Sequence, residues 1–242
     1  MSFEKLAEHR RVWKEKGLLR DIYTRWYTNI QHHLPSKGPI LEVGGGSGNL
    51  KEFCPEIITS DFIFCPWLDL NLDAQKLPIK SNSLEGIVAI DVLHHLADPL
   101  AFMEEAQRAL VSKGRLILLE PFISLWSMPV YRFLHPEDLD FSYNPFAGKE
   151  KKPDKAPFEG NLAIATIIFD KYNRKLEARL PNFPVIKRYH SDFFLYPLSG
   201  GFDHPCFCPG FMVPAISFLE RLMQPAARLL AYRVLIVMEN HT

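Results

Sequence analysis

Between Pro39 and Leu50 the chain reads Pro-Ile-Leu-Glu-Val-Gly-Gly-Gly-Ser-Gly-Asn-Leu, and no other segment restricts the fold as much. An apolar run ending at Glu42 predicts a buried strand. Gly44, Gly45, Gly46 and Gly48 then predict a tight loop that opens a helix. Glycines cluster where the backbone takes positive φ or where a ligand lies against the main chain. A strand, a glycine loop and a helix start also aim backbone N–H groups at whatever binds beyond the strand's carboxyl end. The run therefore announces a nucleotide-like ligand.

Strand and helix signals alternate around it. Residues 3–34 predict two helices broken near Gly17, and Leu19, Ile22, Trp26, Ile30 and Leu34 form one apolar stripe on the second. That stripe is read as packing on the side of the domain before it is read as a cover over the ligand. Short apolar runs follow at 56–61 and 67–70, then a buried strand at 84–90 ending at Asp91. Asp98 and Pro99 make a cap-and-proline helix start, and a strand at 115–119 runs into Glu120 and Pro121. Strands alternating with helices imply an α/β fold, a parallel sheet covered on both faces.

The regularity breaks after Pro121. Residues 122–135 are apolar and aromatic, and 136–160 carry prolines and the stretch Lys149-Glu150-Lys151-Lys152. Asn161 is expected to cap a helix running to about Lys171. A sixth strand is expected over 184–194, an irregular loop over 198–205, an amphipathic helix over 215–230 and a last strand over 232–239. The organisation expected is N-terminal helices at 1–37, a ligand-binding core at 38–121 and a lid or acceptor insertion at 122–182. The C-terminal part of the sheet, with an inserted loop and helix, falls at 183–242.

Composition narrows the function. Lys plus Arg and Asp plus Glu are 28 each, and a neutral chain argues against a long nucleic acid as partner. The N-terminus mixes charges and has no signal-peptide core, and no charge-free span is long enough to cross a bilayer. Cys54, Cys65, Cys206 and Cys208 do not form a disulfide framework, which fits a cytoplasmic location. Cys206 and Cys208 lack a convincing second pair, so no metal site is expected.

A nicotinamide dehydrogenase would need Gly-x-Gly-x-x-Gly, whereas here the third glycine is Gly48 and Asn49 takes the later position. The following residues separate the two cofactor classes. Asp61 ends the second strand, where an acid can accept from ribose hydroxyls. Then come Asp73-Ala74-Gln75-Lys76-Leu77-Pro78, a strand ending Leu93-His94-His95, and Glu105-Ala106-Gln107-Arg108-Ala109-Leu110 before Lys113-Gly114. In these four motifs, taken in order, the chain resembles the class I S-adenosylmethionine-dependent methyltransferases. Within them it is most similar to the small-molecule group that includes the ubiquinone/menaquinone C-methyltransferases. The resemblance spans residues 38–121 and fades beyond.

The resemblance implies a Rossmann-like three-layer sandwich with a seven-stranded mixed sheet in the order 3-2-1-4-5-7-6. Its last strand is antiparallel, and an inserted cap completes it. It also implies S-adenosylmethionine as cofactor and S-adenosylhomocysteine as product. Glu42, Gly44, Gly45, Gly46 and Gly48 would border the methionine part, with Glu42 helping to hold its ammonium directly or through a water. Asp61 would bind the ribose, Phe62 would offer a face to adenine, and Asp73 and the Ala74 N–H would read the adenine edge. Asp91 would lie beside the sulfonium. The departure is Lys113, where the family's turn carries a glycine pair.

Methyl transfer is an in-line displacement that needs a base only for a hydroxyl or a carbon acid. Candidates by placement are His94, His95, Tyr131, His135, His190 and His204. The aromatic 122–134 segment and the apolar run after Phe211 are read first as core packing between lid and sheet and second as a pocket for a small, hydrophobic or lipid-linked acceptor, with peripheral membrane contact left open and oligomeric state unassigned. The rivals are a nicotinamide-dependent oxidoreductase and a non-catalytic S-adenosylmethionine-binding protein.

Overall fold

A computed structural model describes residues 3–147 and 159–242. The expected loop residues Lys149–Lys152, Pro153 and Pro157 lie outside the described residues. Two helices lead, α1 (Phe3–Glu15) and α2 (Gly17–His33), and separate at Lys16, whose backbone is extended. The strands and helices then alternate as β1 (Ile40–Val43), β2 (Ile58–Asp61), β3 (Leu70–Asn71), β4 (Leu84–Ile90), α3 (Pro99–Ala109) and β5 (Leu110–Pro121). After β5 come α4 (Ser127–Phe133), α5 (Ile164–Thr166) and, through a wider turn over Ile167–Lys171, α6 (Asn173–Arg179). The chain closes with β6 (Val185–Ser191), α7 (Leu195–Ser199), α8 (Val213–Leu222), α9 (Ala227–Leu230) and β7 (Arg233–Glu239).

The sheet order is β3-β2-β1-β4-β5-β7-β6, with β7 antiparallel to both neighbours and every other pairing parallel. This is the topology that the resemblance implies. Parallel strands need crossovers, and the helices that supply them cover both faces. Side-chain alternation sorts the two cores. Ile87, Ala89, Leu116, Leu118, Val234 and Ile236 face α3 and the α5–α6 stretch. Val88, Ile117, Leu119, Leu235 and Val237 face the other way, onto Leu19, Ile22 and Ile30 of α2.

Local chemistry explains the ends of several elements. Asp98 Oδ1 accepts from Ala101 N at 3.1 Å, so the expected cap starts α3 with Pro99 in the first turn. Asn161 Oδ1 accepts from Ala163 N at 3.1 Å ahead of α5. The expected helix over 215–230 is instead α8 and α9 with a tight turn at Gln224–Ala226 between them, because Pro225 cannot continue the hydrogen-bond ladder.

The segment expected as a lid divides in two. Ile164, Ala165, Ile168, Phe169 and Leu176 belong to the main core, so α5 and α6 form a sheet-covering layer. The residues around 130–137 turn back toward the carboxyl ends of the strands.

Candidate active site

The carboxyl ends of β1, β2, β4 and β5 and the start of β7 open on one cavity of about 1090 Å³. The glycine loop forms one wall. Gly44, Gly46 and Gly48 take φ of +69°, +48° and +74°, conformations that only glycine adopts without strain. Gly46 N donates to Asp61 Oδ2 at 2.9 Å, and Trp67 Nε1 donates to Gly46 O at 2.9 Å. Arg10 lies over the Trp67 ring and donates to Ser47 O at 3.3 Å. The loop is thus braced from β2, from the Trp67 turn and from α1.

Gly44, Gly46, Asp61, Phe62, Asp73, Ala74 and Asp91 line the cavity, whereas Glu42, Gly45 and Gly48 do not. Glu42 lies beneath the loop, 4% exposed, and a Cβ on Gly45 would meet its Oε2 at 2.9 Å. Burial, then the nearby Asp61 carboxylate, pushes the Glu42 pKa up to about 8. Its buried Oε2 has no hydrogen-bond partner. An orphaned carboxyl oxygen under a glycine loop suits a cationic group reached through the loop or a water.

Asp61 accepts from Gly46 N and, at 2.9 Å, from Ile63 N, and each carboxylate oxygen keeps a further lone pair. Phe62 presents an exposed ring at the same wall. Asp73 caps the short turn Ala74–Lys76 by accepting from Gln75 N at 2.8 Å. That turn is pinned from α3. Glu105 Oε2 accepts from Leu77 N at 2.9 Å, and Arg108 donates to Leu77 O at 3.0 Å and Ile79 O at 2.8 Å. Two of the sequence motifs therefore meet as one structural clamp.

Asp91 takes φ of +57° just after β4 and pairs through both carboxylate oxygens with the buried Arg233 guanidinium. Arg233 also donates to Tyr196 Oη and lies over the Trp26 and Tyr196 rings. The free negative charge expected at Asp91 is thereby matched by a cation, a partner that only the antiparallel return of β7 supplies.

The histidine candidates separate sharply. His94 is buried and places Nδ1 2.6 Å from Glu120 Oε2, while Glu120 Oε1 accepts from Val92 N and Leu93 N at 2.9 and 2.8 Å. Burial alone would lower its pKa, but Glu120 and Glu137 raise it to about 10, so His94 holds a proton at neutral pH. That removes it as a base. Tyr131 lines the cavity but donates its hydroxyl to Tyr232 O at 2.8 Å within a buried cluster, so it too is committed. His190 stacks edge-on against Phe122 and stays away from the cavity, since its place on β6 directs it to the outer part of the sheet. His95, His135 and His204 all line the cavity. Desolvation lowers the His135 pKa, which keeps that ring neutral.

Sequence reading missed several residues of the site. Lys5, Leu6 and His9 of α1 and Tyr23 and Tyr27 of α2 line the cavity, so the leading helices pack on the sheet and also cover the site. Glu120 was visible as an acid at a strand's carboxyl end. Glu137 carried no local signal, because a long-range clamp places it. Asn161 joins the Glu137 loop by accepting from Asp140 N at 3.0 Å and donating to Asp140 O at 2.8 Å.

Residues 64–118 match the family model described as a methyltransferase domain. The sheet topology is that of the Rossmann-like methyltransferase fold. Solved structures of similar fold include an S-adenosylmethionine-dependent methyltransferase from Archaeoglobus fulgidus, at 12% identity over 91% of this chain and 94% of that one, with a TM-score of 0.52. Geranyl diphosphate C-methyltransferase from Streptomyces coelicolor shares 10% identity over 92% and 80% of the two chains, with a TM-score of 0.54. A Haloferax volcanii methyltransferase solved with the activator Trm112 shares 13% over 99% and 96%, with a TM-score of 0.51. No curated protein matches the sequence. The Streptomyces structure was solved with S-adenosylhomocysteine. Among the described residues no helix is long and apolar enough to cross a membrane.

Proposed function

We propose that the chain transfers a methyl group from S-adenosylmethionine to a small acceptor with a substantial apolar part. The observation that carries this reading is the single cavity of about 1090 Å³, joining the glycine-loop wall to an apolar and histidine-bearing wall. One ligand pocket ordinarily spans about 300–1,000 Å³, so this volume suits a donor and a small acceptor together. Val130, Phe133, Leu134 and Phe207 line the second wall, and the last three are well exposed at its mouth. Exposed apolar rims suit an apolar guest more than a charged polymer.

On this reading Glu42 serves the donor's ammonium, Asp61 its ribose, Phe62 and Ala74 its adenine, and Asp73 the adenine amino group. The bound donor supplies an activated methyl. The protein holds the acceptor in line and excludes water with Leu6, Tyr23 and Tyr27 from the leading helices. His135, neutral and at the cavity wall, is the side chain suited to take a proton from an acceptor hydroxyl.

The test is incubation with methyl-labelled S-adenosylmethionine and fractionated cell extract. Label should appear in the small-molecule or lipid pool. Label in protein or nucleic acid would overturn the acceptor class. Thermal stabilisation by NAD(P) without stabilisation by S-adenosylhomocysteine would overturn the donor.

A further inference from the structure

Three side chains from two distant stretches of chain converge on the cavity wall. His94 and His95 follow β4, and Glu137 comes from the loop after α4. One ligand atom from each lies within 4.8 Å of the others. Glu137 Oε2 is 3.4 Å from His94 Nε2, and its Oε1 is 3.7 Å from His95 Nε2. We propose that His94, His95 and Glu137 bind one divalent transition-metal cation whose remaining coordination positions face the cavity.

The donor set comes first. Two imidazoles and one carboxylate suit cations such as Zn²⁺, Fe²⁺ or Co²⁺, and three protein ligands leave positions open. Bonds of about 2.1 Å place ligand atoms about 3.0–3.5 Å apart, so the two Glu137 separations already approach that spacing. The support behind the ligands comes second. Glu120 holds His94 Nδ1 and is itself fixed by two backbone N–H groups, which turns Nε2 toward Glu137. A carboxylate behind a histidine in this way is the usual device for orienting a metal ligand.

Two further observations concern Glu137. Its Oε2 is buried and lies against the His94 ring nitrogen Nε2. A Cβ on Gly160 would lie 2.6 Å from that oxygen and 3.1 Å from His94 Cδ2, so glycine there is what lets the carboxylate reach the histidine. The adjacent Asn161 N donates to His94 O at 3.0 Å, tying the same strand of chain to the histidine pair. The expectation of no metal rested on the isolated cysteines and took no account of an acid brought in from the segment after α4.

An oxygen of the acceptor is the chemistry suited to the open positions, where the cation would fix its orientation and lower its pKa. That role rests on the methyl-transfer reading, whereas the cation site does not. The chelator-stripped full chain is titrated with Co²⁺, read by visible absorption, and with Zn²⁺, read by calorimetry. One cation per chain should bind. His95→Ala and Glu137→Gln should each weaken binding at least about a hundredfold while still unfolding cooperatively, since even outer-shell changes cost about 10–100-fold. Gly160→Ala should weaken it by displacing the carboxylate. Absence of saturable binding, or binding unchanged in His95→Ala and Glu137→Gln, overturns the proposal and leaves His94 as an ion pair alone. Thermal stabilisation by S-adenosylhomocysteine is read on the same samples. Stabilisation without cation binding removes the cation site only, and cation binding without stabilisation removes the methyl-transfer reading only.

Discussion

Glu42 concentrates the conflict between stability and ligand binding in one carboxyl group. Its pKa is raised from the ordinary 4.5 to about 8, so between these values the unfolded chain is ionised while the folded chain keeps the proton. The folded state then binds more protons, and stability falls as pH rises through that window. Glu42→Gln should therefore stabilise the ligand-free chain by a few kcal/mol at most, by about 1.4 kcal/mol for each unit of the window crossed. In urea unfolding the gain should vanish near pH 4.5 and be largest near pH 8. The same variant should bind S-adenosylhomocysteine more weakly, and equal unfolding midpoints at pH 8 would contradict the argument. Lys113 poses a simpler case. It takes φ of +67° in the irregular stretch of β5 between Leu110 and Arg115, and its ion pair with Glu239 spans 3.7 Å at an exposed side chain. A left-handed non-glycine residue costs about 1–2 kcal/mol, and the exposed pair returns little. Lys113→Gly should stabilise by about 0.5–1 kcal/mol once the glycine's extra unfolded-state entropy is allowed for. Lys113→Ala should not.

The motifs that looked like ligand contacts in the sequence are partly braces between elements. Asp73 and Ala74 line the cavity, but the Glu105–Arg108 pair on α3 holds the turn that carries them. Arg108→Met would remove donors to Leu77 O and Ile79 O and to Glu105. It should cost about 1–3 kcal/mol in urea unfolding and also weaken S-adenosylhomocysteine binding. A change in stability with unaltered affinity would show that the turn holds its shape without α3. The helix starts, the strand ends and this spacing were legible because local rules set them: a cap, a proline, an alternation of apolar residues. The joining of Glu105 to Leu77 was hidden in the same residues, since motif order says nothing of which motif touches which.

Across the whole molecule the apolar surface is uneven. Phe211 is 83% exposed and Phe218 63%, on or beside an α8 that buries no residue. Because neither ring is covered, replacing both by Glu should change folding stability by no more than about 0.5 kcal/mol per site. Thermal unfolding checks this, and a loss of several degrees would mean the rings are covered. The sequence by itself determined the glycine-loop half of the cavity: the glycine run, Asp61, Asp73 and the alternating strands. Those features are local, since backbone conformation and side-chain period are set within a few residues. Only the tertiary structure decided the other half. It paired Asp91 with Arg233, sent His190 away, placed the leading helices over the cavity and brought Glu137 to His94 and His95. Each of these joins residues far apart in the chain, and such contacts follow from how the sheet and its connections close, which no short run of residues encodes.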